Sequence, residues 1–396
     1  MVTTSEIAGV YFRPILRFPT ASSTVVDVIS CHATIVRLCP IIRCIVKMCQ
    51  GPMHAFLQAL PKCEQHLHLE GTLEPHLLFK LAKENGISLP SAESDPSFAS
   101  VDSMLERYAV FTSLDDFLHY YFIGMSVLVN AGDFEALAME YFMRAKGDGV
   151  VHAEVFFDPQ CHTVRGVEYS TVVQGFTTAC RRAKAELDVT SELIICFMRH
   201  LPIASAEQHY EVALPDLESG RVAGIGLSSS EKGNPPELFK SIYSSAEREG
   251  IRRTAHAGEE ADVSYMRGAL EHLHVQRVDH GIKLAEDPEL LAEFVRRKML
   301  ITMCPVSNVK LRCVKDVKEL PIRLYLDKGV KFSINSDDPA YFGAYILDNY
   351  CAVQEAFCLT EEDWAWIVRA SIEGSWCSQG RKSEMLALLG STLSTR

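Results

Sequence analysis

A chain of 396 residues with 47% hydrophobic and 23% charged residues can bury a large core and lacks the composition of a disordered protein. Its formal net charge of -12 argues against tracking along nucleic acid or docking on anionic lipid, both of which need a basic face, and favours a small-molecule substrate. The 13 cysteines, odd in number and without a C-x-x-C pair, read as reduced core thiols, so a cytoplasmic protein is expected, with the nucleus as a further location.

Residues 1–52 carry Arg13, Arg17, Arg37, Arg43 and Lys47 against only Glu6 and Asp27, with no sustained helical or strand period. Charges and prolines interrupt every apolar stretch before the roughly 18 residues a membrane span needs. A transit peptide would be basic and acid-poor in the same way, but the richness in Val, Ile and Cys fits it less well. The segment is read as an unstructured or artefactual extension ahead of one domain over 53–396. From Met53 onward, eight short apolar runs alternate with amphipathic stretches: the segment leading to His66-Leu67-His68, then Val150–Asp158, Leu193–Leu201, Val222–Ser228, Arg253–Glu259, Arg277–Leu284, Leu300–Ser307 and Lys331–Asp337. Eight such units predict an α/β fold, a (β/α)8 barrel. Ser103 to Asn130 reads as inserted helices over the barrel between its first two strands, and two or three helices follow Pro339. Cys196 and Cys304 fall inside strand-like runs.

In a strand, residues two apart project to one side, so the imidazoles of His66 and His68, read as lying on the first strand, can reach one metal ion. Alone, H-x-H is a weak signal. It gains weight because later strand ends carry His256-Ala257-Gly258-Glu259, Asp279-His280-Gly281 and Ser336-Asp337-Asp338-Pro339, and barrel active sites are assembled from such ends. Gly71, Gly258 and Gly281 each follow one of these polar residues, where a chain turns sharply or backs onto a neighbour. His54, His209, His272 and His274 are assigned to the surface. His68-Leu69-Glu70 and His152-Ala153-Glu154 match half of the cytidine-type deaminase signature, but its P-C-x-x-C half is missing. No GxGxxG or P-loop run is present either.

From Leu60 to about Tyr345 the chain resembles the adenosine/adenine deaminase family of metal-dependent hydrolases. The segments that carry this are Leu60-Pro61-Lys62-Cys63-Glu64-Gln65-His66-Leu67-His68-Leu69-Glu70-Gly71-Thr72, His256-Ala257-Gly258-Glu259, Asp279-His280-Gly281, Cys304-Pro305-x-Ser307-Asn308 and Ser336-Asp337-Asp338-Pro339. The resemblance implies one Zn2+ per chain on His66, His68, His256 and Asp337, with a water made acidic in the remaining position; iron, manganese or cobalt suit the same donors. It further implies Glu259 as proton donor to ring N1 of a purine, His280 as the group that receives or orients the water's proton, and Asp338 as the anchor near N7. Glu70 stands where adenosine deaminases usually have an Asp that meets the ribose. Asp338-Pro339-Ala340-Tyr341-Phe342-Gly343 and Ser229-Ser230-Glu231 resemble the adenine branch, in which the latter run approaches the purine edge. The expectation is therefore deamination of adenine to hypoxanthine and ammonia in purine salvage, with Glu70 and Ser229 at the substrate, and with neither nucleic acid nor membrane as partner. Ser228, Ala344 and residues 1–52 depart from that branch, where Asp and Gly would stand at the first two positions. The alternatives are a deaminase of adenosine or another 6-substituted purine, and a zinc-stabilised binding protein, which would need neither Glu259 nor His280.

Overall fold

Each of the eight runs forms a strand, and because both faces of the sheet are covered, polar residues within them such as Thr254, Asp279 and Thr302 are as buried as their apolar neighbours. In the computed structural model, which describes residues 51–394, the strands are β1 (Lys62–Glu64), β2 (Val150–Phe157), β3 (Thr190–Met198), β4 (Gly224–Ser228), β5 (Arg252–Ala257), β6 (Arg277–His280), β7 (Leu300–Met303) and β8 (Phe332–Ile334). All neighbours pair parallel in sequence order. Closure comes just past β1 and β8: Leu67 and Asp337 form a parallel bridge, His68 N donates to Asp337 O at 2.9 Å and Asp337 N to His66 O at 3.1 Å. The chain is thus a (β/α)8 barrel, and its seam runs through the predicted site. The predicted extension, apart from residues 51 and 52, lies outside the described residues.

The barrel interior is layered. At its foot, Glu154 meets Arg277, His152 and the backbone amide of Trp376. Above it sits a small apolar layer of Phe156, Ile194, Cys196 and Trp376, separate from the main core outside the barrel. Phe156 then touches the rings of His66, His68 and His256, which begin the polar top layer. Gly226 belongs to the middle layer because a Cβ there would come within 2.6 Å of Cys196 Sγ.

Between β1 and β2 lie the helices Pro75–Glu84, Val101–Tyr108, Leu114–Met125 and Ala131–Gly147. Ser113 starts the third of these by accepting from Asp116 N at 3.1 Å, leaving Asp115 and Asp116 in the first turn, where the helix dipole favours acid. Its apolar stripe Leu114, Phe117, Leu118 and Tyr121 follows helical spacing and covers the barrel mouth. The chain closes with the helices Ile346–Phe357, Glu361–Gly374 and Gln379–Ser394 after a short turn, Pro339–Phe342. No helix of the described residues is long and apolar enough to cross a membrane. The nine cysteines among them are free, Cys196 and Cys304 being buried as expected.

Three expectations need correction. His66-x-His68 is not on a strand proper, since β1 ends at Glu64 and the histidines sit on its extended continuation. The runs Arg277–Leu284 and Lys331–Asp337 are regular strand only as far as His280 and Ile334, and the backbone turns through positive φ at His280 (63°) and Asp337 (66°). His209 is buried rather than on the surface: its Nε2 meets Thr163 Oγ1 at 2.7 Å and its Nδ1 meets Ser205 O at 2.7 Å.

Candidate active site

The C-terminal end of β5 and the continuations of β1 and β8 aim four donor atoms at one point. His66 Nε2 and His68 Nε2 lie 3.1 and 3.2 Å from His256 Nε2, and Asp337 Oδ1 lies 3.2 Å from His66 Nε2 and 3.7 Å from His68 Nε2. Donors at 2.0–2.1 Å from one tetrahedral ion stand about 3.4 Å apart, so this spacing suits a zinc-sized ion. His280 joins the same buried group, with ligand atoms of His66, His256, His280 and Asp337 all within 4.8 Å of one another. Partners behind the donors orient them. His66 Nδ1 faces Thr302 Oγ1 at 3.0 Å, His256 Nδ1 lies 3.6 Å from Asp279 Oδ2, and Ser307 Oγ donates to Asp337 Oδ2 at 2.5 Å. Asp279 is in turn held by Thr254 and Thr302 at 2.7 and 2.8 Å. Such an outer layer is what metal ligands require to keep one tautomer and one orientation.

Burial, together with the neighbouring His66, holds His256 down at about 4. For His68 burial acts downward, but Asp158 beside it outweighs that and raises the ring to about 10.

Above these donors is a cavity whose wall also includes Leu114, Phe117, Leu118 and Tyr121. Glu259, His280, Asp338 and Ser229 line it as expected. Burial, reinforced by Asp337 and Glu231, pushes the Glu259 carboxyl well above the ordinary carboxylate range. Its Oε2 is 3.4 Å from His280 Nε2, while His280 Nδ1 lies 3.3 Å from Asn308 Nδ2. Burial, with the His66 ring beside it, holds His280 well below the usual imidazole range and so neutral. Burial next to Asp337 pushes Asp338 up as well, and its Oδ1 has no hydrogen-bond partner. Ser229 takes φ 74° and its Oγ lies 2.7 Å from His200 Nδ1.

Two predicted contacts fall elsewhere. Glu70 does not line the cavity: it is fully buried, and its Oε1 accepts from Asp158 N at 3.0 Å and faces His162 Nε2 at 3.0 Å. Arg165, a pure donor, lies 2.8 Å from His162 Nδ1, so that nitrogen accepts and Nε2 carries the proton given to Glu70. Glu231 does not approach the cavity either. Its Oε2 accepts from the amides of Glu259, Glu260 and Ala261 at 3.1, 2.8 and 2.7 Å, strapping down the turn that presents Glu259.

Sequence reasoning missed Asp158 and the stripe over the mouth. Asp158 ends the second apolar run as His280 ends β6, so a polar residue at a strand end was the available signal. Leu114-x-x-Phe117-Leu118-x-x-Tyr121 was readable from its spacing.

The family model described as adenosine deaminase matches residues 61–391. An adenine deaminase of Aspergillus fumigatus is 57% identical over 341 residues, covering 86% of this chain and 96% of that protein. One from Schizosaccharomyces pombe is 54% identical over 338 residues, with 85% and 92% covered. Among solved structures, an adenine deaminase from Arthrobacter aurescens aligns with a TM-score of 0.80 at 39% identity, covering 85% of this chain and 99% of that one. An amidohydrolase from Burkholderia ambifaria with bound Zn aligns at 0.72 and 28% identity, covering 87% and 95%.

Proposed function

The chain belongs to the adenosine deaminase family, and on that premise we propose that it is an adenine deaminase, a hydrolase that converts adenine to hypoxanthine and ammonia. The choice of adenine is supported by fungal relatives at 47–57% identity that carry this name and are matched along 92–96% of their length. The observation that carries the reaction class is the convergence of His66, His68, His256 and Asp337 beneath a cavity lined by Glu259, His280 and Asp338.

One zinc ion per chain, held by His66, His68, His256 and Asp337, would supply an acidified water as nucleophile at neutral pH. The chain's own groups do the rest. Glu259 holds a proton and delivers it to ring N1, which draws electrons from C6 and makes that carbon easier to attack. His280, neutral and fixed by Asn308, takes up or orients the proton released by the nucleophile. Asp338, kept protonated by burial and by its neighbours, donates to ring N7, an acceptor. The stripe Leu114, Phe117 and Leu118 excludes bulk water over the ring. The acidic chain and reduced cysteines agree with a cytoplasmic role in purine salvage.

The test is ammonia release from adenine and, separately, adenosine at matched concentrations, before and after chelation and zinc return. Adenine is expected to be the faster substrate, with activity lost on chelation and restored by zinc. Faster turnover of adenosine would overturn the choice of substrate. Full activity in the metal-free protein would overturn the metal assignment.

A further inference from the structure

Asp158 is a buried carboxylate at the cavity wall for which the mechanism above has no use. Only 3% of it is exposed. Its Oδ2 is engaged by the Tyr121 hydroxyl at 2.8 Å, whereas its Oδ1 has only a stretched 3.5 Å contact from Ser228 Oγ, well beyond the 2.7–2.8 Å usual for hydroxyl donors. That oxygen keeps lone pairs for something inside the cavity.

Cyclic order around the barrel identifies the partner. Glu259 follows β5, Ser228 ends β4 and Ser229 follows it, Asp158 follows β2, and Asp338 follows β8. Around the rim of a purine the nitrogens run N1, N3, N9, N7. With N1 at Glu259 and N7 at Asp338, as in the reading above on which this inference rests, N3 falls at the β4 serines and N9 at Asp158. The one charged side chain lining the arc from β2 to β4 is Asp158.

We propose that Asp158 is the residue that selects a free base over a nucleoside: its Oδ1 accepts the ring N9–H of adenine, a donor that a nucleoside lacks because its N9 bears the sugar. With a free base the carboxylate is satisfied. With a nucleoside it is left buried and unpaired, and it also occupies the space the first sugar carbon needs. Tyr121 is its positioning residue, holding Oδ2 so that Oδ1 faces inward.

The experiment compares adenine with 9-methyladenine, which removes only this N–H, in wild-type zinc enzyme and in the Asp158→Ala and Asp158→Asn variants. Metal content is measured throughout. Wild type is expected to favour adenine in kcat/KM by roughly 10- to 100-fold, the range expected for one hydrogen bond to a charged group. D158A should bring that ratio to about one, chiefly by loss of activity on adenine, and D158N should fall between. Inhibition by hypoxanthine against 9-methylhypoxanthine should follow the same ratio without any turnover. Because Asp158 Oδ2 also lies 3.6 Å from His68 Nδ1, a role confined to holding that ring would weaken both members of each pair alike and leave the ratios unmoved. Unmoved ratios, or a wild type indifferent to the methyl group, would overturn the proposal. A metal-loaded wild type that releases no ammonia from adenine would instead overturn the reading of the reaction, before any variant is examined.

Discussion

Glu154 at the foot of the barrel and two acids at its mouth, Glu259 and Asp338, are all buried carboxylates, yet their surroundings treat them in opposite ways. At the foot, both oxygens of Glu154 are engaged, Oε1 by His152 and the Trp376 amide and Oε2 by Arg277, whose guanidinium lies over the Trp376 ring. Although burial acts against ionisation, Arg277 and His152 hold Glu154 down at about 2. At the mouth, burial pushes Glu259 and Asp338 far up, and neighbours that are other acids reinforce it where Glu154 has cationic partners instead. Asp338 Oδ1 lacks any hydrogen-bond partner. A buried acid with its bonds filled is architecture; one held short of partners beside a cavity is chemistry.

Substitution by glutamine should separate the two regions. Glu259→Gln keeps the shape and loses a proton donor, so kcat should fall about 1000-fold, within the span usual for general acid catalysis, with metal content and thermal stability unchanged. A variant that kept a tenth of the activity would remove Glu259 from the role of acid.

Glu154→Gln should do the reverse. It strands the Arg277 charge in the barrel interior, a change worth about 3–5 kcal/mol of stability, while kcat measured well below the unfolding temperature stays near that of the wild type. Since the folded state holds the Glu154 carboxyl below its value in the unfolded chain, the stabilisation is present above about pH 4.5 and is lost as pH falls toward about 2. The deficit of the variant should therefore shrink in acid. If E154Q unfolded no earlier than wild type, the foot would not be the architectural element its saturated bonds indicate.

The two regions were not equally legible in the sequence. Eight apolar runs and polar strand ends were enough to read the barrel and to bring His66, His68, His256, Glu259, His280, Asp337 and Asp338 together. Direction was not legible. Glu70 turns away from the cavity because His162, 92 residues further on, supplies a proton, and Glu231 turns away because three amides beyond β5 converge on it. Neither partner is implied by local spacing. The H-x-E at His152 looked like half a catalytic signature for the same reason: only the fold shows that Arg277, on β6, fills its acid.

A smaller test asks whether the mouth tolerates crowding less well than the barrel interior below it. A Cβ on Gly71 would lie 2.0 Å from Asp338 Oδ1 and 2.8 Å from Asp338 Cα, so the collision is with backbone as well as side chain. Gly226 has a similar constraint in the middle layer, but against Cys196 Sγ at 2.6 Å, a single atom at the end of a short side chain. Overpacking of this kind costs about 1–3 kcal/mol at either place. The consequences should differ: Gly226→Ala should lower the melting temperature and leave kcat/KM for adenine unchanged, whereas Gly71→Ala should displace Asp338 and lower kcat/KM by roughly tenfold at a similar loss of stability. Equal kinetics in the two variants would mean that Asp338 can follow a shifted backbone without losing the purine, and its role as a fixed anchor would fall.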